Sequence, residues 1–162
     1  MGRSGTGRSY HHQNRAFDLD ALIFDKHPRW IANTFPQRPF MYLSIESVLR
    51  GSFGTVLNYD YNSDHQDHFH FDNGTPVGFK RHARSHTIFV QHTLVRLFQQ
   101  DVGSGGVDGV FGPDTEAALN FVRRELELGG FSEVENWKAY LKICTSLALD
   151  NELSIVSSEA AV

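Results

Sequence analysis

Three of the nine histidines fall in the stretch Asp64-His-Gln-Asp-His-Phe-His-Phe-Asp72, and this crowding constrains the chain more than any other feature of it. Side chains alternate along a β-strand, so His68 and His70 share one face while Phe69 and Phe71 take the other. If the phenylalanines enter a core, two imidazoles point into one space, an arrangement that suits a metal ion. The alternative is a solvated polar strand face. The stretch closes on Asp72-Asn-Gly74, a turn signal.

The chain of 162 residues changes character near residues 80–85. Upstream it is rich in His, Asp, Phe and Asn; downstream it is aliphatic with helical spacing. We therefore expect one unit over residues 1–80, a linker over 81–86, a helical unit over 87–150 and a tail over 151–162. Residues 1–8 read as a flexible end.

In the first unit, residues 15–24 alternate, with Phe17, Leu19 and Ala21 on one face and Ala16, Asp18 and Asp20 on the other, the period of a half-buried strand. Residues 25–40, with three prolines, read as loop. A helix is expected over 41–50, ending at Gly51, then strands over 55–61 and 68–71 that pair antiparallel across a turn at 62–64. In the second, helices are expected over 87–98, from Pro113 to Gly129-Gly130, and over 134–149, with a Gly-rich loop at 102–112. Ala117, Ala118, Phe121 and Val122 form the expected inner face of the middle helix, with Asp114 or Thr115 capping it. Val134, Trp137, Leu141, Cys144 and Ala148 line the last helix, and 154–162 should fray. The fold class is α+β: a small antiparallel sheet plus a C-terminal three-helix unit. Its apolar faces match among themselves, so it should pack little against the first eighty residues.

A net charge of −4 without a basic run argues against nucleic acid as a partner. No apolar run reaches the ~18 residues of a membrane span, and residues 1–10 lack the apolar core of a secretory signal. Cys144, the single cysteine, reads as a small buried apolar residue.

A second stretch, Ser9-Tyr-His-His-Gln-Asn-Arg-Ala-Phe-Asp18, carries the sharpest resemblance. Ser9, His11, Ala16 and Asp18 follow the pattern Ser-x-His-x-x-Gly-x-Ala-x-Asp, with Asn14 in place of Gly. That pattern resembles the zinc peptidases that include D-alanyl-D-alanine carboxypeptidases and murein endopeptidases. Asp67-His-Phe-His70 is similar to the matching segment of the extensin-like C-terminal domains within that group. The resemblance implies a zinc peptidase fold with His11, Asp18 and His70 as ligands. Two imidazoles and one carboxylate leave a fourth position open, as in catalytic zinc sites. His12 rivals His11, but the spacing to Asp18 favours His11, and His12 reads as an exposed loop residue.

The same resemblance offers two bases. One branch of the group uses an acid three positions before the last ligand, which is Asp67; the other has a histidine two positions before it, which is His68. We expect Asp67 as base and His68 holding substrate or the oxyanion, although strand alternation favours His68. Ser9 and His65 fit supporting or substrate-contact roles, or plain surface positions. Related domains carry further helices and a strand ahead of the Ser-x-His motif, so the N-terminal part of the catalytic unit is expected to be missing.

Downstream, Gly106-Val-Asp-Gly-Val-Phe-Gly-Pro-Asp-Thr-Glu-Ala-Ala-Leu119, preceded by Val90-Gln-His-Thr-Leu94, looks like a three-helix peptidoglycan-binding domain. Val122 stands where that family usually has Gln. Together the resemblances imply a monomeric zinc peptidase that cuts peptidoglycan stem or cross-link peptides in the periplasm or at the wall. Two readings compete with it: a non-catalytic wall-binding protein with a degenerate zinc site, and a structural zinc module closed by His68.

Overall fold

The computed structural model describes residues 10–13, 15–25 and 29–159, so the expectations for residues 1–8, for Ser9 and for Asn14 lie outside it. Among the described residues are four α-helices and small antiparallel sheets. Strands β1 (Ala16–Leu19), β4 (Thr55–Leu57) and β5 (Phe69–Asp72) form one sheet in the order β1-β5-β4, both pairings antiparallel. Strands β2 (Ala21–Leu22) and β3 (Trp30–Ile31) pair separately, the latter within a stretch expected to be loop. The helices are α1 (Pro39–Ser52), α2 (Arg84–Arg96), α3 (Pro113–Glu125) and α4 (Val134–Glu159). No described helix is long and apolar enough to cross a membrane.

The alternation read in β5 holds: Phe69 is fully buried beside Trp30 and Tyr42, and Phe71 packs on Phe53. Phe17 departs from expectation. It stacks on Phe71, its partner across the sheet, but β1 is an edge strand and the ring stays 56% exposed.

Helix α1 starts two residues earlier than expected because Pro39 can occupy the first turn without losing a hydrogen bond. It also runs past Gly51. Strand β4 ends early at Leu57 because Asn58 turns inward, its Nδ2 donating to Glu46 Oε1 at 2.9 Å. Glu46 and Arg50, one turn apart on α1, are both buried, and Arg50 also donates to the carbonyls of Val56 and Ser85. One side chain thereby joins α1, β4 and α2.

Helix α2 begins at Arg84, inside the expected linker, and Ser85 and His86 are buried. On α3 the inward residues are Thr115, Ala118, Leu119 and Val122, whereas Ala117 and Phe121 face out. The rotation follows from Gln91, a buried residue of α2. Its amide donates to Asp108 Oδ1, the Val110 carbonyl and the Thr115 hydroxyl, and its carbonyl accepts from Gly109 N. Thr115 is thus drawn inward and caps nothing; Gly112 is the N-cap, without a side-chain bond. Gly106 and Gly109, at φ +61° and +76°, supply the left-handed turns of this loop.

The face expected on α4 is present: Trp137, Leu141, Cys144 and Ala148 are buried, and burial raises the Cys144 thiol pKa far above its ordinary value. The helix runs on to Glu159 instead of fraying at Ser154. Buried Glu152 anchors that extension, accepting from Arg38 Nε at 2.9 Å and from Met41 N at 3.2 Å in the first turn of α1. The expectation that the helical part packs little on the first eighty residues is therefore not met. A single hydrophobic cluster runs from Trp30, Tyr42 and Phe69 through Phe89 and Leu94 to Trp137 and Ala148, with α1 lying along α4.

Candidate metal centre

Strand β5 is held by hydrogen-bonded neighbours on both sides, so its side chains are aimed by backbone register. That register sets Asp18 of β1 directly opposite His70 of β5, and partners across a ladder share a face. His11 reaches the same face from the short 3-10 turn Tyr10–Gln13, which Arg15 fastens. Arg15 N donates to Tyr10 O, its guanidinium lies over the Tyr10 ring, and Nε donates to Asn73 Oδ1 at 2.9 Å. A Cβ on Gly74 would come within 2.6 Å of the Tyr10 ring, so glycine there leaves the turn its place.

Three ligating atoms converge. His70 Nδ1 lies 3.0 Å from Asp18 Oδ1 and 3.1 Å from His11 Nε2, and His11 Nε2 lies 3.4 Å from Asp18 Oδ1. Neutral imidazole lone pairs and a carboxylate are all acceptors, so only a proton or a cation between them reconciles such spacing. Ligands at about 2.0–2.2 Å from a tetrahedral zinc stand roughly 3.3–3.6 Å apart; the His11–Asp18 separation of 3.4 Å matches this, the other two are shorter, at 3.0 and 3.1 Å, and the donor set of two nitrogens and one oxygen suits that ion. These residues therefore fit the metal. The atoms of His11, Asp18 and His70 all lie within 4.8 Å of one another, and among the described residues no fourth ligand joins them. Asp18 is about half exposed, so the cluster opens to solvent.

Behind the cluster stands a residue that the sequence reading did not single out. His70 Nε2 faces Asp72 Oδ2 at 3.4 Å, while Asp72 Oδ1 accepts from Gly74 N at 2.7 Å. Asp72 is buried, two positions beyond His70 on the same face of β5. The alternation that paired His68 with His70 extends to Asp72 and was the available signal.

Asp67 and His68 occupy different ranks. His68 Nδ1 lies 2.7 Å from Asp67 Oδ1, and its other nitrogen, Nε2, faces Asp18 Oδ1 at 3.8 Å. Asp67 is 78% exposed on the far side of that ring, and its hydrogen bond with His68 holds its carboxyl below the usual range. His65 sits at the rim, its ring 5.2 Å from that of His68 and its Nδ1 2.6 Å from Asn62 Oδ1; burial lowers its pKa. The side chain of His12 lies outside the described residues, as does Ser9.

A family model described as "Extensin-like protein C-terminus" matches residues 1–82. The chain belongs to this family. The extensin-like region contains the whole cluster, together with Asp67, His68 and Asp72, and ends just before α2. No curated protein and no solved structure matches the chain.

Proposed function

We propose that the chain is a zinc-dependent peptidase that hydrolyses a peptide bond in the stem or cross-link peptides of peptidoglycan, with its helical part holding the polymer. The observation that carries this reading is the convergence of His11, Asp18 and His70 from three separate segments, with spacings of 3.0–3.4 Å and an open side. Bound there, zinc supplies a Lewis acid for a scissile carbonyl and makes a water acidic enough to attack near neutral pH.

The remaining roles fall to side chains. His70 would bind through Nδ1 and His11 through Nε2, and Asp18 would add the negative charge that holds a divalent ion. His68 Nε2 faces this space, so we assign the proton transfer to His68 rather than to Asp67. Asp67 holds the proton on His68 Nδ1 and leaves Nε2 free to accept one from the attacking water. Specificity for wall peptides draws on the peptidoglycan-binding resemblance of residues 87–124, and tethering would raise the local concentration of cleavable peptide. The wall or periplasm is the matching location.

The test is zinc content together with cleavage of purified muropeptides by the whole chain. One zinc per chain, product release, and loss of both in His11→Ala and His70→Ala are expected. No stoichiometric zinc under saturating metal would overturn the reading, and zinc binding without cleavage would favour a non-catalytic wall-binding protein.

A further inference from the structure

Along one side of α3 runs a cleft of about 370 Å³ that the metal cluster does not use. Its walls are apolar: Leu119 and Phe131 are buried, and Phe79 sits 5.9 Å from Phe111 and 5.6 Å from Phe131, ring to ring. At one end Arg81 lies over the Phe111 ring, 4.7 Å from its centroid, and donates to Glu116 Oε2 at 2.8 Å. At the other end Arg123 lies over Phe131, with Nε donating to Gly129 O at 2.8 Å and Nη1 to Asn120 Oδ1 at 3.1 Å. Each guanidinium is thus fixed against an aromatic ring before any ligand arrives, which reduces the ordering cost of binding.

The two ends differ in charge. Glu116 offsets Arg81, whereas among the described residues Arg123 meets only the neutral oxygens of Gly129 and Asn120. Glu116 and Arg123 are seven residues apart on α3, so the ends stand about 10 Å apart. That is the span of roughly three extended residues.

We infer that this cleft binds the free-carboxylate end of a short peptide with small apolar side chains, the carboxylate on Arg123 and the preceding residues running toward Arg81 and Glu116. Arginine is suited to the first task because its planar donors match a carboxylate. Identifying the peptide with a wall stem rests on the proposed function; the carboxylate-binding cleft does not.

The probe is acetyl-L-lysyl-D-alanyl-D-alanine, compared with its C-terminal amide, titrated into the zinc-free whole chain and followed by backbone amide NMR. The acid should shift Asn120, Arg123 and Ser132 saturably, and the amide should bind roughly tenfold more weakly or worse. Arg123→Gln should abolish that preference. Glu116→Gln should strengthen acid binding severalfold, a gain that a purely structural role for this face would not produce. Equal binding of acid and amide, no saturable shift, or an unchanged preference in Arg123→Gln each overturn the inference, and Glu116→Gln keeps it testable should Arg123→Gln misfold. Shifts confined to Asp18, His68 and His70 would also overturn it while leaving the peptidase reading intact. Failure of the chain to bind zinc would sink that reading and leave this experiment untouched.

Discussion

The two ring nitrogens of His68 are placed differently, Nδ1 bonded to Asp67 at 2.7 Å and Nε2 only facing Asp18 at 3.8 Å, and that asymmetry makes the division of labour measurable. His68→Ala should keep zinc and lose about 10²–10⁴-fold in muropeptide turnover, the usual contribution of a positioned base. Asp67→Ala should cost less, because it frees the ring without removing it. The reverse order would return the role to Asp67. Asp72 is testable without turnover. A carboxylate behind a ligating histidine typically contributes 10–100-fold in metal affinity, so Asp72→Ala should weaken zinc binding by about that factor. An unchanged zinc affinity would reduce Asp72 to a packing residue. The sequence announced the histidines by their crowding. It could not say which nitrogen of His70 faces which carboxylate, since ring orientation is set by neighbours on other strands.

At the scale of the element, the periods in the sequence were sound guides to element type, whereas the ends and the inward face of α3 were not legible from them. Helix α1 lacks a side-chain N-cap of its own; Glu152, more than a hundred residues later on α4, accepts the Met41 N–H and also holds Arg38. Glu152→Ala should lower stability by about 1–3 kcal/mol, measured as a shift of the urea midpoint, through the lost cap and the freed Arg38. An unchanged midpoint would show that water replaces the carboxylate at no cost. Helix α2 carries a second long-range tie in His86, whose Nδ1 accepts from Lys80 N at 3.4 Å and whose Nε2 faces Gly54 O at 3.3 Å. Burial, with Arg50 nearby adding to it, lowers the His86 pKa from 6.5 to about 3. Between those values the unfolded chain takes up a proton that the folded chain refuses, so stability falls as pH drops below about 6.5 and the loss levels off near pH 3. His86→Gln, which can accept and donate at that place, should flatten this part of the acid slope in urea titrations. An undiminished slope would move the effect to other groups.

At the scale of the whole molecule, the sheet and the helices share one core. Arg50 donates to the carbonyl of Ser85, Phe79 packs on Trp137 at 5.2 Å between ring centroids, and α1 lies along α4. Residues 85–162 expressed alone should therefore show no cooperative thermal unfolding by circular dichroism, because the face of α4 that α1 covers would be bare. A sharp cooperative melt would reinstate the helical part as an independent unit. The sequence by itself determined the α+β character, the strand face shared by His68 and His70, and the Gly-rich loop between helices. Each of these follows from a local backbone period, 2 for strands and 3.6 for helices, or from residues that permit a particular turn. Only the tertiary structure decided that β1 pairs with β5 so that Asp18 faces His70, that Glu152 caps α1, and that both halves close on one core. Those outcomes depend on side chains meeting across as many as 114 residues of chain, and no local period encodes such a meeting.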